Sequence, residues 1–163
     1  MHRLSKHRVM AVCLWGAALC AAPAAAFAQA PAFVANWYWN RTQSTVAPGE
    51  DLPSSVVLAI TAAETGRVQW TLTGTDAKGA KHAETYSGTG DGKPAPVIGA
   101  PPGTMASFTV SPTTMTASYT NTDGSSEHTS CTLSPDHRQM ICAGADNDGK
   151  GHTSNYRDVY DRQ

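Results

Sequence analysis

Short runs in which apolar and polar residues alternate, separated by turn residues, extend from residue 33 to the end of this chain. A two-residue period of this kind directs the chain into antiparallel sheet. Val68, Trp70 and Leu72 alternate with Gln69, Thr71 and Thr73, and Met115, Ala117 and Tyr119 alternate with Thr114, Thr116, Ser118 and Thr120. Phe33, Ala35, Trp37 and Trp39 share one face of a first strand, which places Tyr38 on the other. Val56 to Ile60 is a continuous apolar run suited to a well-buried strand. Asp76–Gly79, Ser111-Pro112, Asn121–Gly124 and Asp146–Gly149 carry turn chemistry between these segments. No segment keeps a helical period and no internal repeat is present. The expectation is an all-β, up-and-down meander of about eight or nine strands, closed as a barrel or half-barrel. Gly88 to Gly103, with five glycines and four prolines, reads as a flap, a rim loop or a small strand pair.

One hairpin can be read to the residue. If the turn after Leu133 centres on Asp136-His137, Cys131 falls opposite Cys142, Thr132 opposite Ile141 and Leu133 opposite Met140. Directly opposed residues bring their Cβ atoms near disulfide distance. A structural Cys131–Cys142 bond is expected, since neither a Cys-x-x-Cys nor an adjacent histidine ligand pattern is present.

The amino-terminal stretch reads as a secretory signal. Arg3, Lys6 and Arg8 precede a short apolar run, and Ala26-Phe27-Ala28 fits the small-residue cleavage pattern, so a cut is expected after Ala28. The run falls short of the roughly 20 residues that span a bilayer. Export to the periplasm or beyond follows, with residues 29–163 as one secreted domain and no membrane insertion after cleavage. An oxidising compartment agrees with the cysteine hairpin. With Arg3, Lys6 and Arg8 set aside, nine of the 12 basic residues face 13 acidic ones, a net charge of −4. That balance excludes nucleic acid as an expected partner.

Few residues point to chemistry. No Gly-x-Ser-x-Gly elbow is present, and Glu84 and Glu127 are the only glutamates placed within strands, with nothing evident to pair them. His82, His128, His137 and His152 show no metal-ligand spacing, and Asp146–Gly151 lacks the oxygen ligands of a complete calcium loop. No enzyme, cofactor or metal is expected. Trp37, Trp39, Trp70, Tyr86 and Tyr119 are the candidate ligand-binding residues, because large inward side chains are otherwise sparse; Tyr156 and Tyr160 add to the aromatic set. Whether these rings fill the barrel or line a cavity stays open at this level.

Four segments carry a resemblance. They are Trp37-Tyr38-Trp39-Asn40 with Ser44 and Pro48-Gly49, Leu72 to Gly79, Gly90 to Gly99, and the ending Val159 to Gln163. Together they resemble a family of uncharacterised secreted β-barrel proteins of Gram-negative bacteria, which implies a barrel and export but no activity. Ala35-Asn36-Trp37, with Arg157 or Arg162 as a late basic partner, more loosely resembles the opening of lipocalin-like barrels, without their glycine. Two functions are therefore expected in turn. The first is binding of a small hydrophobic or aromatic ligand; the alternative is a non-enzymatic envelope structural or interaction protein, or an inhibitor, with an envelope protein as partner.

Overall fold

The computed structural model describes residues 31–46 and 52–163; the signal segment with its cut after Ala28, and the Pro48-Gly49 turn, lie outside them. Ten antiparallel strands close into a barrel. In chain order they are β1 (Ala35–Trp39), β2 (Ser55–Glu64), β3 (Arg67–Thr75), β4 (Lys81–Gly88) and β5 (Ala95–Ile98). There follow β6 (Met105–Val110), β7 (Thr114–Thr120), β8 (Ser126–Leu133), β9 (Gln139–Asn147) and β10 (Thr153–Arg162). Each strand pairs with its sequence neighbour, and β1 meets β10 to close the ring, with Trp37 opposite Arg162 and Trp39 opposite Tyr160. The up-and-down antiparallel meander expected from the alternation is the observed architecture, closed with ten strands where eight or nine were expected. Closure pairs every strand edge.

The tenth strand comes from the glycine- and proline-rich segment. Ala95–Ile98 pairs with β4 through Thr85 and Tyr86 and with β6 through Met105 and Ala106. Its four residues are flanked by breakers, which is why alternation alone could not separate strand from loop here.

Turn chemistry is uniform. Asp76, Asp123, Asp136 and Asp148 each accept backbone N–H bonds from residues two or more positions ahead, for example Asp76 Oδ1 from Lys78 and Ala80, both at 2.8 Å. These are Asx turns, in which a side-chain carboxylate stands in for a backbone acceptor. His137 takes the position with φ 57° in the Asp136-His137 turn, a conformation that few non-glycine residues adopt.

The core lies toward the end of the barrel where β1 begins and β10 finishes. Trp37 is fully buried, its indole N–H donates to the Phe33 carbonyl at 2.8 Å, and the Arg162 guanidinium lies over its ring at 4.7 Å. A row of opposed residues crosses the inner wall: Ala35, Ile60, Trp70, Tyr86 and Val97. The register slips between Ile60 and Ala62, a bulge that returns Ala63 to the interior opposite Val68. This packing plugs one end and leaves the other to be filled or opened.

Candidate ligand-binding cavity

At the opposite end the inward faces stop meeting across the barrel. A cavity of about 750 Å³ extends from the packed core to a rim built by the turns at residues 99–104, 121–125 and 148–152. Its size falls within the range of small-molecule sites.

The deep wall is aromatic. Trp70 stacks on Tyr86 with ring centroids 5.8 Å apart and planes 15° apart, while Phe108 meets Trp70 edge-on at 6.3 Å. Tyr119 meets Phe108 edge-on at 6.0 Å. Trp70, Phe108, Tyr119, Tyr156 and Tyr160 reach the cavity surface, with Leu58, Leu72 and Met115 between them. The Cys131–Cys142 disulfide forms part of the same wall, on opposed positions of β8 and β9, with the register expected from the sequence.

The upper wall is acidic. Glu84 on β4, Glu127 on β8, Asp146 on β9 and Asp158 on β10 all line the cavity and are half-buried. None of the described residues lining it is a lysine or an arginine. Glu127 stands between Tyr119 on β7 and Asp146 on β9, and its carboxylate accepts a hydrogen bond from the Tyr156 hydroxyl. Burial pushes the Glu127 carboxyl above the ordinary range; the Tyr156 hydrogen bond opposes this, and the charges of Asp146, Asp158 and Glu84 add to it. The same surroundings hold Tyr119, Tyr156 and Tyr160 protonated, burial being the largest cause for each. Asp158 Oδ1 accepts the Trp39 indole N–H at 2.7 Å.

One glycine makes this arrangement possible. Gly144 on β9 faces inward opposite Tyr156, and a Cβ there would overlap the phenol ring and sit 2.8 Å from the His128 carbonyl oxygen. The bare backbone lets Tyr156 lie against β9 and reach Glu127 on the next strand.

The aromatic residues singled out by the sequence thus divide. Trp70 and Tyr119 line the cavity. Trp37 and Tyr86 are buried in the core beneath it, 0% and 2% exposed, and Trp39 supports the wall through Asp158. Phe108 and the carboxylates of Asp146 and Asp158 were not anticipated, although each is in phase with inward apolar neighbours on its strand. His82, His128 and His137 stay outside the cavity, His128 exposed and paired with Ser118 at 2.9 Å, while His152 stands at the rim, exposed and paired with Asp148 at 2.8 Å. Among the described residues no three of His, Cys, Asp and Glu are grouped so as to hold a metal ion.

No protein-family model and no curated protein matches the chain. A solved structure described as EF1p2_mFAP2b bound to DFHBI is similar in fold, with a TM-score of 0.48 and 11% sequence identity over 81% of this chain and 94% of that chain.

Proposed function

We propose that this chain is an exported binding module, not an enzyme, that holds a small apolar or aromatic molecule inside its barrel. The observation that carries the reading is the cavity of about 750 Å³ whose deep wall is built from Trp70, Phe108, Tyr119 and Tyr160. A barrel of this size could have been filled by side chains, as its lower half is. Instead the aromatic rings stop at a surface, and apolar surface of that kind gains free energy when a ligand removes it from water. The outward positions of β3, β7 and β8, such as Gln69, Thr71, Thr116, Ser118 and Ser130, are polar, unlike the apolar band of a membrane-spanning barrel. The disulfide supports an oxidising location, in keeping with the secreted family that the sequence resembles.

Native mass spectrometry on protein purified gently from the periplasm tests this reading. A reproducible added mass that leaves on denaturation is the expected result. A bare monomer, together with tryptophan fluorescence that no panel of hydrophobic ligands shifts, would overturn it in favour of an envelope interaction protein.

A further inference from the structure

We infer that Tyr160 is a ligand-binding hydroxyl, and that the molecule it serves carries a neutral carbonyl oxygen on an apolar body. The inference rests on the binding reading above and names the polar group that the same cavity recognises.

Most polar side chains around the cavity already have partners within the protein. Glu127 accepts from Tyr156 and Asp158 accepts from Trp39, and neither Asp146 nor Asp158 is without a partner. At the rim Thr104 bonds to Pro101 and Asn121, and His152 pairs with Asp148 at 2.8 Å. Tyr160 differs. Its residue lines the cavity and is only 8% exposed, yet among the described residues its hydroxyl makes no hydrogen bond.

The register explains why. The residues opposite Tyr160 are Trp39 on β1 and Met140 on β9. The Trp39 indole is a donor already committed to Asp158, and Met140 is a buried thioether. Neither offers an oxygen acceptor to the phenol. The Tyr86 hydroxyl also lacks a partner but is sealed within the core, whereas that of Tyr160 is not sealed and opens on the cavity. Tyr119 lies nearer the mouth, at the end of β7, and is half-buried, so water can serve it.

Taking a hydroxyl out of water without a partner costs free energy, and phenylalanine would pack the same ring without that cost. The cost is recovered when an occupant of the cavity brings an acceptor to Tyr160. A phenol is a better donor than acceptor, because its oxygen lone pair is delocalised into the ring. Burial, and then the charges of Asp158 and Glu127, keep Tyr160 protonated and therefore able to donate. The same surroundings resist an anionic ligand group placed against the hydroxyl, and no lysine or arginine among the described lining residues would receive one. A ketone, ester or amide carbonyl meets both conditions: it accepts the bond and brings no charge.

Three probes of nearly equal shape test this: 4-phenyl-2-butanone, 3-phenylpropionate and isopentylbenzene, titrated by NMR into the disulfide-bonded protein at neutral pH. The ketone should bind more tightly than the carboxylate. Tyr160→Phe should weaken the ketone by about fivefold, the worth of one neutral hydrogen bond, and leave the hydrocarbon unchanged. Because the hydroxyl has no internal partner, the same substitution should not lower the thermal transition. Ketone affinity indifferent to Tyr160→Phe would overturn the assignment while the binding module stands. A lowered thermal transition would overturn it too, by showing that the hydroxyl is bonded within the protein. A carboxylate that binds as tightly as the ketone would overturn the neutral character of the ligand. If none of the three binds, the binding reading falls and the assignment falls with it.

Discussion

The Arg162 guanidinium carbon lies 4.7 Å from the centroid of the Trp37 ring, on the strand directly opposite, where β10 closes the barrel against β1. The same guanidinium donates to the Ala32 carbonyl, and the indole N–H is held by Phe33. One side chain thus ties the segment before β1 to the last residues of the chain and caps the core. Arg157, the other basic residue considered for this place, points outward and donates to the Gln43 carbonyl at 2.9 Å. Arg162→Ala should lower stability by about 1–3 kcal/mol, from a lost cation–π contact and a carbonyl left with a weaker donor. Urea unfolding checks this. Arg162→Lys should recover only part of the loss, since an ammonium group cannot reproduce the planar stacking.

The disulfide bridges opposed positions on adjacent strands that are already paired along their whole length. Reduction should therefore weaken the domain without unfolding it. For a closed loop this short the chain-entropy contribution is about 2–3 kcal/mol, equivalent to a fall in the thermal midpoint of roughly 5–10 °C for a domain of this size. Circular dichroism melts with and without reductant read the difference. Loss of all structure on reduction at room temperature would contradict it.

Gly144 provides a test of how the acidic wall is assembled. Gly144→Ala places a methyl group where the Tyr156 ring lies and close to the His128 carbonyl oxygen. The phenol must move, and Glu127 loses its donor. The cost should be about 1–3 kcal/mol, as for other overpacked sites. Tyr156→Phe removes the donor without crowding the strand. If Gly144→Ala leaves stability unchanged while Tyr156→Phe lowers it, the ring has an alternative position that the wild-type packing does not reveal.

Much of this frame was legible because alternation reports facing directly. Val68, Trp70 and Leu72 point inward as their spacing requires, Tyr38 points outward, and the cysteine hairpin keeps the register deduced from its turn. The bulge after Ile60 was not legible, since a run of small apolar residues looks the same with or without a slip. Neither was the acidic wall. Glu127 is in phase with Thr129 and Cys131, Asp158 with Tyr156 and Tyr160, and Glu84 with Tyr86, so each was marked as inward by its own strand. What the sequence withholds is that these strands curve to face one another, so four distant acids share one space. The division of aromatic residues between plug and cavity is hidden for the same reason. It depends on height along the barrel axis, which comes from the stagger of strands rather than from any local pattern.

That shared space gives stability an unusual dependence on pH. The carboxyl of Glu127 is raised above its ordinary value of 4.5, chiefly by burial, so between that value and its folded pKa the folded protein binds more protons than the unfolded chain. Its contribution is therefore most favourable on the acid side and is lost as pH rises through the folded pKa. The turn aspartates act in the opposite sense. Asp91, held down to about 2 by the Lys93 and Thr89 hydrogen bonds, and Asp123, Asp136 and Asp148 stabilise the fold above 3.8 and lose that contribution as pH falls through their lowered values. The two windows do not overlap, which places the stability maximum between them, in mildly acidic solution, with a decline toward neutral pH. Glu127→Gln should flatten that decline and leave the acid limb unchanged, because the glutamine oxygen can still accept from Tyr156 but carries no charge to desolvate. Denaturant midpoints measured from pH 3 to pH 8 on both proteins decide it. A wild-type profile that keeps rising to neutral pH would mean that Glu127 is as comfortable ionised in the barrel as in water.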